Sequence, residues 1–175
     1  ADEAYLAVDD KFAANTSLQN AVLLAALIRK IPDYGLILFG EGSGDNYSGQ
    51  VAARTAGILG LPQVYYAVDL GLSEGKVKVT RALEDCVEVM EVELPAVVTV
   101  TAAINEPRIP SVMQILKAGK KPKRLFTVPD LGVDVPAAEI STSSNLAPEV
   151  ERLCITVKSA GELVEKLRAE GLIGR

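Results

Sequence analysis

The chain contains no histidine among its 175 residues. This absence excludes a Ser-His-Asp triad, a Cys-His pair and any metal site built on imidazole, and we predict no metal site. General acid–base chemistry would depend on carboxylates, lysine or tyrosine, and no pair of carboxylates stands in an evidently apolar stretch. We therefore predict no catalytic residue and a binding or carrier role rather than a hydrolase.

Cysteines and long apolar runs are scarce too. Cys86 and Cys154 are far apart and form no CxxC pair, which indicates a reducing compartment. No apolar run approaches the roughly 20 residues that cross a bilayer, so we expect no membrane insertion. The net charge of −5 disfavours binding to nucleic acid phosphates.

Short apolar segments alternate with helical patterns in the first 68 residues. The predicted strands and helices, in chain order, are a strand at 4–8, a helix at 17–31, a strand at 35–39, a helix at 47–59 and a strand at 63–68. Such alternation predicts an α/β fold with a mainly parallel sheet.

The hydrophobic period then changes. Apolar and polar residues alternate strictly in 76–81 (KVKVTR) and 88–94 (EVMEVEL). This pattern predicts an antiparallel hairpin with one face exposed to solvent. Residues 96–101 are predicted to return to the main sheet as a strand. We predict an α/β domain over 1–128 and a C-terminal arm over 129–175, in which 129–148 is too polar to join a core and 159–170 is an amphipathic helix.

The sequence GEGSGDNYSG follows the apolar strand at 35–39. Its glycines allow a sharp turn and close approach of a ligand, and the next helix, predicted to begin near Tyr47 with Asn46 or Ser48 as its cap, would offer free amides to an anion. The candidate cofactor-binding residues are Gly40, Glu41, Gly42, Ser43, Gly44, Asp45, Asn46, Tyr47, Ser48 and Gly49.

This loop matches neither standard phosphate-binding motif. It lacks the Lys-Ser/Thr of a P-loop, and Asp45 stands where GxGxxG requires its third glycine. By pattern alone, a phosphate cradle and a plain strand-to-helix turn are equally consistent with it. If the loop is a cradle, a bulky side chain at Gly44 is expected to crowd it.

The segment ELPAVVTVTAAINEPRIPSVMQILKAGKK, residues 93–121, resembles the signature of the electron transfer flavoprotein β subunit. That family has an LPAVVT strand, an NEPR turn, a short exposed helix and a lysine run, in this order. DLGVDV at 130–135 and the hairpin before LPA also match. The resemblance extends over about residues 1–172, whereas roughly the first third of the family's chain has no counterpart here.

The resemblance implies a Rossmann-like fold of the adenine nucleotide α-hydrolase type and an electron carrier rather than a bond-making enzyme. It implies a heterodimer with an α subunit, FAD shared with that subunit, and AMP bound to this chain, or a second FAD in bifurcating members. The loop at 40–49 would hold the nucleotide phosphate. The sequence Gln50-Val51-Ala52 lacks the Val-Gly-Pro of bifurcating members, which favours AMP. The implied location is cytoplasmic, or the mitochondrial matrix in a eukaryote.

The resemblance also implies a docking helix for acyl-CoA or other flavin dehydrogenases. Its predicted docking residues are Val112, Met113, Ile115, Lys117, Lys120 and Lys121. Ordinary core packing is the alternative for the three apolar residues, and a solvated face is the alternative for the lysines. Val112 would be the exposed anchor, and the lysines would steer acidic partners toward it.

Besides the missing first third, the sequence shows three departures from the family's pattern. Tyr47 replaces a common Gln, and Asp85 and Cys86 replace a Gly-Gly in the hairpin turn. The third departure is the missing Val-Gly-Pro. A stand-alone adenine-nucleotide module of the stress-protein type and an ATP-pyrophosphatase-like enzyme are alternatives. Neither the G-x2-G-x9-G-Ser/Thr spacing of the first nor the SGGxDS loop of the second occurs here.

Overall fold

The computed structural model describes residues 1–9, 16–44, 47–137, 140, 143–144, 146–147, 149 and 154–174. The chain divides into two compact units, residues 1–141 and 142–175. The boundary that we place after residue 128 stays a prediction.

The first unit alternates strands and helices in its first half and is strand-rich afterwards. Its elements are β1 (Ala4–Ala7), α1 (Ser17–Ile28), β2 (Leu36–Gly40), α2 (Val51–Leu59), β3 (Gln63–Ser73), β4 (Lys76–Ala82), β5 (Val87–Glu93), β6 (Ala96–Val100), a short 3-10 helix (Ala102–Ile104), α3 (Val112–Gly119), β7 (Lys123–Phe126) and α4 (Val128–Leu131). The second unit contains α5 (Ala160–Ala169).

The strands form a five-stranded sheet of order β2-β6-β3-β4-β5 and a two-stranded sheet, β1-β7. The pairs β2/β6, β3/β6 and β1/β7 are parallel. The pairs β3/β4 and β4/β5 are antiparallel. The predicted Rossmann-like architecture, a mainly parallel sheet with an antiparallel hairpin, is therefore confirmed. A register shift between Val64 and Ala67 marks a bulge in β3 at the carboxyl end of the parallel strands.

Three apolar clusters hold the first unit together. The largest is a sheet cluster centred on Val64, Val77, Val79 and Val98, all at most 2% exposed. Val77 and Val79 are the positions that alternation assigns to one face of β4, and burying each such valine contributes about 1.5–3 kcal/mol. The second cluster packs α2 against β6, and the third packs α1 against α4.

The segment after β7 contradicts the expectation of a wholly polar tail. Leu131 is buried against α1, and Val133 and Val135 pack on the same cluster. Nε2 of Gln19 in α1 donates a hydrogen bond to the carbonyl oxygen of Pro136, at 2.9 Å. The prediction was wrong here because the three apolar residues alternate between polar ones, so the mean polarity of the segment hid an apolar face.

The helix predicted at 159–170 is present in the second unit, whereas the role of 129–175 as an arm stays a prediction. Helix α5 begins after Ser159, whose hydroxyl accepts a hydrogen bond from the amide of Glu162 at 3.2 Å. Leu163 and Leu172 of this unit are exposed.

Candidate functional site

A cavity of about 570 Å³ lies at the carboxyl end of β2. One wall is apolar and comes from β1 and α1, with Leu6, Leu23, Leu24 and Leu27. The opposite rim is polar and comes from the loop after β2 and the first residues of α2. Ligands of α/β proteins bind at this end of parallel strands, because the strand-to-helix loops collect there.

The predicted loop supplies much of the rim. Its lining residues are Gly40, Glu41, Gly42, Ser43, Ser48 and Gly49. Gly44 and Tyr47 belong to the same loop but do not line the cavity. Asp45 and Asn46 lie outside the described residues, so their predicted roles stay predictions. Within the described lining, Glu41 carries the only formal charge.

Helix α2 begins four residues later than predicted, at Val51 rather than near Tyr47. The physical reason is backbone conformation: Tyr47 has φ 38° and Gly49 has φ 63°, and neither value fits a right-handed helix. Ser48 therefore does not cap the helix. Gln50 is the N-cap, with no side-chain hydrogen bond to the first turn.

The side chain of Gln50 is engaged elsewhere. Its Oε1 accepts hydrogen bonds from Nε and Nη2 of Arg54, at 3.2 and 2.8 Å. In contrast, α1 and α3 are capped by the hydroxyls of Thr16 and Ser111. Within the part of the chain that the structure describes, the amides of Val51 and Ala52 in the first turn of α2 thus have no side-chain acceptor, and both residues line the cavity. Such amides, at the positive end of a helix dipole, favour an anion.

The glycines of the loop are not equivalent. A Cβ at Gly42 would lie 2.7 Å from Cδ2 of Tyr47, so this tyrosine ring rests on the Gly42 backbone. Gly49 has a left-handed φ that disfavours other residues. A Cβ at Gly44 would meet open space within 4 Å. A methyl group at Gly44 therefore meets no described atom, the expectation for a bulky side chain there stays a prediction, and Gly42 and Gly49 are the constrained positions.

Tyr47 stands beside a carboxylate. The negative charge of Glu41 raises the pKa of Tyr47 above its usual 10.0, and desolvation, the Tyr66 phenol and a hydrogen bond to Glu41 act in the same direction. Tyr47 therefore stays neutral at physiological pH. Among the described residues of the rim, Glu41 carries the negative charge, and an anion bound there would depend on backbone amides and hydroxyls to offset it.

Helix α3 lies apart from the cavity lining and carries an exposed apolar set. Val112 is 72% exposed, and Met113, Ile115 and Leu116 are each more than half exposed. Ser111 caps the helix by accepting a hydrogen bond from the amide of Gln114. The predicted short helix with an exposed Val112 is thus confirmed, which removes the core-packing alternative. Its docking role stays a prediction. Lys117, Lys120 and Lys121 are exposed at its end.

A family model, the electron transfer flavoprotein domain, matches residues 1–131. The chain belongs to the electron transfer flavoprotein family. This match confirms the family that the sequence motifs indicated. It includes every described strand, the cavity, α3 and α4, and it ends before the second unit. It applies to electron transfer flavoproteins in general and does not single out the β subunit.

The sequence analysis of this electron transfer flavoprotein chain missed the apolar wall of the site and Gln50. Leu23, Leu24 and Leu27 belong to the helix predicted at 17–31, and an apolar helix face predicts core packing. Leu23 and Leu27 do contact Leu131, yet they also border the cavity. Only the tertiary structure distinguishes a helix face that packs in a core from one that also borders a cavity. Among the described residues, no helix is long and apolar enough to cross a membrane.

Proposed function

We propose that this chain is the β subunit of an electron transfer flavoprotein, which carries electrons from dehydrogenases to an acceptor through FAD. Family membership supports the electron-transfer part. The order of LPAVVT, NEPR and the lysine run, at 94–121, supports the β subunit. In this proposal an α subunit holds most of the FAD, and the chain itself performs no bond-making chemistry. The proposed compartment is the cytoplasm, or the mitochondrial matrix in a eukaryote.

The chain's own ligand is proposed to be AMP. The single observation that supports this most is the uncapped start of α2, which opens with the glycine loop onto the cavity. The phosphate would lie against the amides of Val51 and Ala52 and the loop from Gly40 to Gly49, with help from Ser48 and Asn46. The adenosine would lie along the apolar wall, as ligands in such clefts do. AMP is preferred to a second FAD because Gln50-Val51-Ala52 lacks Val-Gly-Pro.

Helix α3 is proposed to dock on the donor, an acyl-CoA or other flavin dehydrogenase. Val112 would be the anchor, framed by Met113 and Ile115. A single exposed valine is ordinary, but four apolar residues exposed within five positions of one short helix indicate a contact surface. Lys117, Lys120 and Lys121 would steer an acidic partner.

Co-purification tests the subunit and ligand assignments together. The chain would be co-expressed with its α subunit, and bound nucleotides would be released with acid and identified by mass spectrometry. We expect a yellow heterodimer that releases FAD and AMP. Release of FAD alone, in twice the amount, would replace AMP by a second FAD. A colourless homodimer that releases ATP would support the stress-protein alternative and overturn the proposal.

A further inference from the structure

Glu41 is an unusual side chain for the rim of an anion site. It is half-buried, it lines the cavity, and it comes directly after the last residue of β2. In the described part of the lining there is no lysine or arginine to offset its charge. The rim therefore combines the amides of Val51 and Ala52, which attract an anion, with a carboxylate that repels it.

The local structure holds this carboxylate in place. Its partner is Tyr47, whose phenol donates a hydrogen bond to it. The ring of Tyr47 packs against the backbone of Gly42, where an added Cβ would lie 2.7 Å from Cδ2 of the ring. The amide of Tyr47 donates a hydrogen bond to the carbonyl oxygen of Ser43, at 3.0 Å. These contacts fix the phenol beside Glu41 at the start of the loop.

Tyr47 adopts a backbone conformation that a tyrosine rarely takes. Its φ of 38° is left-handed, and a residue with a Cβ keeps such a conformation where its surroundings enforce it. Its side chain is 64% exposed, so burial of the ring in a core does not explain the strain. Strained residues of this kind concentrate at ligand sites. The strain is therefore consistent with a positioning role for Tyr47 toward the Glu41 carboxylate.

The cation of helix α2 is engaged away from the cavity. Arg54 donates hydrogen bonds from Nη2 and Nε to Oε1 of Gln50, at 2.8 and 3.2 Å, and it does not line the cavity. A single phosphate can be held without a cation, by backbone amides and by hydroxyls such as those of Ser43 and Ser48. A longer phosphate chain brings more negative charge, which P-loops offset with a lysine.

We propose that Glu41 is a specificity-determining residue, which makes the site select nucleoside monophosphates over nucleotides with two or more linked phosphates, and that Tyr47 positions its carboxylate. The inference rests on the proposed AMP site and gives its selectivity a physical cause. Repulsion by Glu41 grows with each phosphate added, whereas the amides attract chiefly the phosphate that they contact. FAD contains a pyrophosphate, so the same carboxylate disfavours a second FAD.

Calorimetric titration of AMP, ADP and ATP into the nucleotide-free heterodimer tests this selectivity. The wild type should bind AMP most tightly and ATP most weakly. Glu41→Gln keeps the size of the side chain and an oxygen that can accept from Tyr47, but it removes the charge. It should lower the ratio of the ADP Kd to the AMP Kd by about three- to tenfold at low salt, and added salt should shrink the difference between the two proteins.

The matched control is Glu84→Gln. Glu84 is exposed in the turn between β4 and β5 and does not line the cavity, so this variant removes the same charge elsewhere. It should keep the wild-type ratio of the two Kd values. An equal fall of the ratio in this control would show that the effect follows total charge, and would overturn the inference.

Tyr47→Phe tests positioning separately from the charge. It keeps the ring against Gly42 and loses the hydrogen bond to Glu41, so the Kd ratio should fall, but by less than in Glu41→Gln. In the double variant Glu41→Gln/Tyr47→Phe, the loss of the phenol should change the ratio no further, because the carboxylate through which it acts is absent. If Tyr47→Phe weakens all three nucleotides by the same factor, its role is structural and the positioning assignment fails.

The remaining outcomes separate this inference from the proposed function. An unchanged Kd ratio in Glu41→Gln overturns the inference and leaves the AMP site standing. Weaker AMP binding by this variant would also overturn it, because the carboxylate would then contact the nucleotide favourably. A second FAD in place of AMP, or no binding of any nucleotide, overturns both assignments. If a dehydrogenase does not reduce the complex but the Kd ratios behave as expected, the selectivity stands and the electron-carrier proposal fails.

Discussion

Gly49→Ala is the sharpest perturbation of the nucleotide loop. Gly49 has φ 63°, and an added Cβ would lie 3.6 Å from the carbonyl oxygen of Glu41, which is an ordinary contact. The cost is therefore conformational rather than steric. A left-handed conformation costs a residue with a Cβ roughly 1–2 kcal/mol. The substituted loop will relax away from this shape when it is free to do so.

The conformational cost at Gly49→Ala makes the free energy of nucleotide binding less favourable by the same amount. If the unbound loop relaxes fully, binding must restore the strained shape, and the apparent Kd rises about 5- to 30-fold. The assay is calorimetric titration of AMP into the nucleotide-free heterodimer. The thermal midpoint should change little, because Gly49 is exposed and belongs to no core cluster.

Gly44→Ala is the matched control. It adds the same methyl group to the same loop, but its φ is not left-handed and the space around it is open. Its Kd for AMP should stay within about twofold of the wild type. The reasoning is refuted if both variants bind AMP equally well, or if Gly44→Ala loses more affinity than Gly49→Ala does.

Three further predictions concern docking, acid stability and a buried hydroxyl. Val112→Ala should raise the KM for the donor dehydrogenase about 5- to 10-fold with an unchanged Tm, since interface anchors lose more than 1 kcal/mol on truncation; a lower Tm would contradict the exposed position. Hydrogen bonds from the Thr127 hydroxyl and amide hold the pKa of Asp130 below 3.8. The stability that these bonds give the folded protein is full at neutral pH and is lost as the pH falls through the lowered pKa. Asp130→Asn should therefore lower the Tm at pH 7 and not in strong acid. The buried hydroxyl of Thr55 has no partner in the described structure, so Thr55→Val should stabilise the protein by about 1 kcal/mol in a urea titration, and destabilisation would reveal a hidden partner.

The sequence predicted elements whose hydrophobic period is strong and missed those that depend on charge or backbone conformation. The alternation in 76–81 and 88–94 predicts β4 and β5, because one face of β4 contains the buried Val77 and Val79 and one face of β5 is half-buried. No hydrophobic period predicts strand β7, Lys123–Phe126, because three of its four residues are exposed and its sequence does not alternate. Its strand conformation comes from its pairing with β1, which local sequence does not encode.

The start of α2 shows why a site is harder to predict than a strand. Ser48 and Asn46 are good capping residues, so propensity placed the helix start beside them. Tyr47 and Gly49 have left-handed backbone conformations, and the helix therefore begins only at Val51. A glycine in a sequence indicates that a left-handed backbone conformation is accessible, whereas a tyrosine gives no such indication. The shift matters for function, because it leaves Gln50 as a cap without a hydrogen bond to the first-turn amides.

The polar rim of the cavity supports the nucleotide assignment more strongly than its apolar wall does. Among the described strands, β1 pairs only with β7 and β2 only with β6, and residues of both border the cavity. Leu38 in the middle of β2 is 54% exposed, although parallel strands are usually covered on both faces. The glycine loop and the first turn of α2 supply the polar rim of the cavity. The assignment of a phosphate therefore depends on the free amides of α2 and the shape of the loop, not on the cavity volume. Gly49→Ala changes only the loop, so its effect on AMP affinity tests the polar rim separately from the apolar wall.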